Sequence, residues 1–146
     1  MKRCILIWML AGGAALVTAG CGDNGMLRTQ GRILKGGEAF IPEEGQWLRI
    51  QFVPISEDRS KPPERIYVAE VDNETGTFRP WGPMKEGMPA GRYRVAIELM
   101  NKKKKDLFEG KYDTGSSPFI FDVDEDTEEI VIDLDRPPLY SPVAAR

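Results

Sequence analysis

After residue 28 the hydrophobic positions alternate with polar ones in short runs, and turn-forming residues separate the runs. In Trp47–Val53, Leu48, Ile50 and Phe52 fall on one face and Arg49 and Gln51 on the other. That period of two predicts a half-buried strand. Arg92–Met100 repeats the pattern, with Tyr93, Val95, Ile97 and Leu99 opposed to Arg92, Arg94 and Glu98. In Glu129–Leu134 the inward set is Ile130, Ile132 and Leu134. Thr29–Leu34, Arg65–Val71, Thr77–Arg79 and Phe119–Val123 are further strand candidates, the second rich in β-branched and aromatic residues. Gly36-Gly37, Pro54 and the Asp72-Asn73-Glu74-Thr75-Gly76 cluster mark the ends and turns. No helical period follows the N-terminal segment. Seven short strands with Gly, Pro and Asp turns predict an all-β domain, an antiparallel seven-stranded sandwich of Ig-like architecture. The Cys–Trp–Cys arrangement of antibody domains is missing.

The N-terminus reads differently. Lys2 and Arg3 give a positive start, Cys4 through Gly20 carry no charge, and Thr18-Ala19-Gly20 place small residues before Cys21. This order is that of a secretory signal peptide. The uncharged stretch contains Gly12, Gly13 and Gly20 and is shorter than the roughly 20 residues of a membrane-spanning helix. The cysteine at the cut makes the segment resemble a bacterial lipoprotein signal, whose lipobox ends in Ala/Gly-Cys, although Thr18 stands where Leu is commoner. The resemblance implies removal of residues 1–20, a diacylglycerol thioether on Cys21 and an added N-acyl chain of the palmitate kind. It places the domain outside the cytoplasm, in the bacterial cell envelope, with the membrane as its first partner. Each buried methylene contributes about 0.8 kcal/mol, so two or three acyl chains anchor a protein durably. The expected organisation is a signal at 1–20, a lipidated tether at 21–27, a β-sandwich at 28–136 and a Pro-rich tail at 137–146.

Composition narrows the function. Of 146 residues, Lys+Arg number 20 and Asp+Glu 23, and there is no His. Loss of Lys2 and Arg3 with the signal takes the net charge from −3 to −5. An acidic domain is a poor match for nucleic acid. Cys4 leaves with the signal, so the mature chain keeps Cys21 alone and can form no internal disulfide. A Cys/His metal site is excluded for the same reason.

Within the domain, Gly31–Glu38 followed by Leu48–Pro54 (LRIQFVP), then Val71–Phe78 (VDNETGTF), then Gly87–Ile97 (GMPAGRYRVAI), form an ordered set of motifs. This order resembles the carboxypeptidase regulatory-like domains, which are transthyretin-like β-sandwiches of many bacterial envelope lipoproteins. The resemblance covers about two thirds of the mature chain, and it implies a module without peptidase chemistry and without a cofactor. It also gives residues structural duties: Gly76 in the hairpin turn, Phe78 in the core, Gly91 at a sharp turn, and Tyr93 with its hydroxyl returned to the backbone at a sandwich corner. Ser56–Glu64 and the Lys102–Lys105 loop have no counterpart in the family pattern.

Several constellations offer chemistry, each with a plainer rival. Asp122, Asp124, Asp126 and Glu128 alternate and supply hard oxygen donors of the kind calcium takes. The EF-hand pattern needs Gly where Thr127 stands and Glu where Asp133 stands, so a solvated acidic turn is the favoured reading. Lys102–Lys105 is either a solvated hairpin tip or a contact for anionic lipid. Trp47 and Trp81 are candidate ligand contacts, Trp81 within the stiff Arg79-Pro80-Trp81-Gly82-Pro83; packed edge residues are the alternative. Without His, the usual nucleophile–base pair is unavailable to the chain, and no glycine-rich phosphate loop is present. The sequence therefore predicts a lipid-anchored, non-catalytic structural or interaction module that meets envelope proteins or cell-wall polymer. The alternative is a surface β-sandwich that binds carbohydrate or calcium.

Overall fold

The computed structural model describes residues 25–56, 65–82 and 84–137. Within them the chain is all-β and has no helix. The strands are β1 (Met26–Leu27), β2 (Gln30–Lys35), β3 (Glu38–Ala39), β4 (Gln46–Pro54), β5 (Tyr67–Asp72), β6 (Thr77–Trp81), β7 (Met88–Pro89), β8 (Gly91–Asn101), β9 (Ile120–Val123) and β10 (Glu129–Asp133). The seven longer strands are the seven that the alternation predicts. The three two-residue strands are additional, being too short to carry a period.

The main sheet runs β10-β2-β6-β5-β4-β8-β9, with β3 paired to β2, while β1 and β7 form a small sheet of their own. Only Gln51↔Val68 and Phe52↔Tyr67 join β4 to β5. The sheet folds over at that narrow seam, so that β10-β2-β6-β5 and β4-β8-β9 enclose one core. All pairings are antiparallel but one: β10 runs parallel to β2, from Glu129↔Gln30 to Asp133↔Leu34. The antiparallel expectation is corrected there. The cause is the short turn after β9, which carries the chain from one terminal strand of the sheet to the other.

The longest ladder pairs β4 with β8 from Gln46↔Asn101 to Pro54↔Tyr93. Its inward faces oppose Leu48 to Leu99, Ile50 to Ile97 and Phe52 to Val95, all buried. Cross-strand apolar pairs of this kind stabilise a sheet by both contact and dehydration. Phe78 enters the same core and meets Phe52, with ring centroids 6.0 Å apart. Beyond β8, Phe108, Tyr112 and Phe119 form a second aromatic row, and the backbones of Leu107, Tyr112 and Phe119 continue hydrogen bonding along the free edge of β8.

Tyr93 does what the sandwich corner predicts. Its ring packs against Phe52 and Tyr67, and its hydroxyl donates to the Pro89 carbonyl at 2.6 Å. Gly76 closes the β5–β6 turn, donating its N–H to the Asp72 carbonyl at 2.9 Å. The chain bends at Ala90, directly before Gly91, and a further turn lies at Gly87, where φ is +102°. A Cβ there would lie 2.2 Å from the Leu27 carbonyl oxygen, because the turn is pressed against β1. The tether is correspondingly shorter than expected: Met26 and Leu27 already pair with Pro89 and Met88.

Two outcomes follow from this packing. A Cβ at Gly31 would sit 2.2 Å from Phe78 Cζ and 2.5 Å from the Ile130 carbonyl. Gly31→Ala is expected to lower stability by about 2–3 kcal/mol, the usual cost of overpacking, read from urea unfolding midpoints. Burial, with a smaller contribution from Tyr67, pushes the Tyr93 phenol up to about 12. A raised folded-state value gives stability that is intact below the ordinary tyrosine value of about 10 and that drains as pH climbs toward the folded value. Tyr93→Phe should therefore cost about 1 kcal/mol at neutral pH and flatten the alkaline fall in stability, as followed by unfolding at stepped pH.

Candidate functional site

The strand directions give the domain two ends. The starts of β8, β5, β2 and β10 share one end with Trp81 at the close of β6. The Lys102–Lys105 loop, Trp47 and the Asp72–Gly76 turn occupy the other. β8, from Gly91 to Asn101, separates them by roughly 33 Å at a strand's rise per residue.

On β6, Phe78 and Pro80 turn inward, and Thr77, Arg79 and Trp81 line the outer face. Trp81 stands opposite Val68 of β5, and Arg79 opposite Glu70. Three shallow hollows meet at Trp81. One, of about 430 Å³, runs past Gln30, Glu70, Asp72, Thr77, Arg79 and Glu129. A second, of about 410 Å³, lies over Ile66, Val68 and Lys85. The third, of about 360 Å³, reaches Arg28 and Gln30. The Trp81 ring is half-buried, and Lys85 lies over it with Nζ 5.9 Å from the centroid. Glu70 holds the same ammonium at 3.7 Å. Trp81 Nε1 is buried with no hydrogen-bond partner among the described residues. The arrangement offers an aromatic flank, a cation and several polar groups around open hollows. Such a surface suits stacking against a sugar ring or an extended peptide.

The acidic turn does not converge on an ion. Arg92 takes Asp122 in a two-pronged contact, at 2.7 Å and 2.8 Å, and this pairing draws the carboxyl below its usual range. Asp124 is spent on its own turn: its Oδ1 accepts from the Asp126 N–H and the Thr127 hydroxyl. Among the described residues no group of three or more His, Cys, Asp or Glu side chains could hold a metal. Of the residues weighed as an ion contact, Asp122 is held in a salt bridge and Asp124 caps its own turn with Asp126, the geometry of an acidic turn. The other resolved carboxylate shifts, at Asp72 and Asp113, are also downward, driven by hydrogen bonds from neighbouring backbone and hydroxyl groups. A general acid needs the opposite tuning.

Trp47 lies opposite Met100 and is 38% exposed, at the far end of the fold from Trp81. The two tryptophans do not share a site. The four lysines are all exposed. Asn101 Oδ1 accepts from the Lys103 and Lys105 N–H groups, and the Asp106 carboxylate accepts from those of Leu99, Phe108 and Gly110. This framework was missed in the sequence. Its signal was the pair of short Asx residues, Asn101 and Asp106, that brackets the lysines. Cys21 lies outside the described residues, which begin at Gly25.

Two substitutions check this geometry. Asp106→Ala strands three backbone donors and should cost about 2–3 kcal/mol in chemical unfolding. Trp81→Phe removes a buried N–H that has no partner, which offsets the area lost. The net change should stay within about 1 kcal/mol, whereas a loss well above that would show that Nε1 is satisfied in solution.

No family model, curated protein or solved structure matches the chain.

Proposed function

We propose that the chain is a bacterial envelope lipoprotein, anchored by lipid on Cys21, whose β domain is a non-catalytic structural or interaction module. The observation that carries this reading is the junction of two sequence features: a lipobox-like Thr18-Ala19-Gly20-Cys21, and a folded domain whose first strand starts at Met26. Five residue steps from Cys21 to Met26 span at most about 18 Å when fully extended. A domain tied so closely to its anchor works at the membrane surface rather than at a distance from it. The motif order through Tyr93 supports membership among the carboxypeptidase regulatory-like, transthyretin-like domains, and the inward-turned Tyr93 hydroxyl agrees with that family's structural use of the position. Its partners are envelope proteins or cell-wall polymer.

The tetralysine loop bears on which partner. It stands about 33 Å from the Gly91 end of β8, whereas the tether joins the domain beside that end. A role on the lipids that hold Cys21 is therefore disfavoured, and the loop faces away from the anchoring membrane. A second reading, carbohydrate binding, has its support in the Trp81 hollows.

Expression with the native signal provides the test. Wild type should sediment with membranes and carry the mass of the acyl groups, and Cys21→Ala should lose both the lipid and the cleavage. A wild type recovered as soluble, unlipidated protein would contradict the proposal. Quenching or enhancement of tryptophan emission by cell-wall oligosaccharides, abolished in Trp81→Ala and retained in Trp47→Ala, would favour the carbohydrate reading.

A further inference from the structure

Among the described residues Met84 is the most exposed large hydrophobic side chain, at 85%. It stands in the segment between β6 and β7, on the end of the fold where the tether joins. The segment is braced. The Met84 N–H donates to Glu86 Oε2 at 2.7 Å, and the Lys85 N–H donates to the Gly82 carbonyl at 2.9 Å. Glu86 is folded inward, with its side chain only 14% exposed, and Arg65 lies 3.9 Å from it. Lys85 takes a φ of +59°, an uncommon conformation for a residue with a side chain. Met84 is thus displayed by a built turn.

Its surroundings share its character. Ile66 and Val68 are 42% and 48% exposed on the adjoining outer face, beside half-buried Trp81. Arg28 and Lys85 flank one of the hollows at Trp81. An apolar tip backed by an amphipathic aromatic, with Arg28 and the Glu70-paired Lys85 at its rim, is a composition suited to a lipid interface. The chain itself says which surface. β1 pairs with β7, so the tether leaves the domain next to this segment, and Gly87 is packed against Leu27. From there the chain to Cys21 reaches at most about 18 Å.

We infer that the Met84 end of the domain lies on the phospholipid surface into which the Cys21 acyl chains insert, with Met84 seated at the boundary between headgroups and acyl chains. The inference rests on the lipid-anchored reading above and adds to it a second contact that fixes the orientation of the domain. The acidic Asp124–Glu128 turn shares this end of the fold: it joins β9 to β10, and Glu129 after it lines one of the hollows at Trp81. Contact through Met84 leaves the Lys102–Lys105 loop, at the opposite end of β8, pointing outward.

The test uses the mature lipidated protein in vesicles of phosphatidylethanolamine and phosphatidylglycerol. Acylation blocks the Cys21 thiol, so Met84→Cys introduces one reactive thiol for an environment-sensitive fluorophore, and Lys103→Cys places the same label at the opposite end. Both positions are exposed, so both variants should fold. The expected result is a blue-shifted emission at position 84, largely lost to nitroxide-labelled lipid, with neither change at position 103. If the protein floats with the vesicles yet the label at 84 stays in water, the anchor stands and the inference is overturned. If the acylated form does not float, the anchored reading fails and the inference falls with it.

Discussion

The pairing of β4 with β8 is the constraint on which the rest of the structure depends. Nine registered residue pairs, from Gln46↔Asn101 to Pro54↔Tyr93, align Leu48, Ile50 and Phe52 with Leu99, Ile97 and Val95. A slip of one position would turn every one of these side chains to water. The ladder fixes where Tyr93 sits, and so lets its hydroxyl reach the Pro89 carbonyl and hold β7 in place for β1. The point at which the tether enters the domain is thus set by the core.

The same ladder gives the domain a direction. Because β4 and β8 are long enough to span it, features at their two ends are kept well apart. Met84, Lys85 and Trp81 share the end at which the chain arrives, and the lysine loop and Trp47 share the other. A short tether then turns this internal polarity into an orientation relative to a surface. In the account proposed above, one end rests on lipid and the opposite end is offered to the envelope.

Much of the fold was legible in the alternation of residues, since each long strand buries one face and wets the other. Tyr93 and Phe78 were legible too, because a motif order fixed their places. What escaped detection shares a physical cause. β1, β3 and β7 have two residues each, too few to show a period, and β1 exists only because Gly87 lets the turn press against Leu27. The parallel alignment of β10 with β2 depends on which side of the sandwich a five-residue turn crosses, a choice that local patterning does not encode. The acidic run reads as a turn in the sequence, but the pairing of Asp122 with Arg92, distant in sequence, is set by the β8–β9 register. Met84 gave no signal at all: a lone methionine between prolines and glycines becomes notable only when its exposure and its nearness to the tether are known.

The central claim is that Cys21 is the lipidated N-terminus of the mature protein. Its most direct test is mass spectrometry of the N-terminal tryptic peptide from membrane-extracted protein, with cleavage after Arg28. The account predicts a peptide of Cys21–Arg28 heavier than its sequence by a diacylglyceryl group and an N-acyl chain. An unmodified peptide, or one that begins upstream of Cys21, would contradict it.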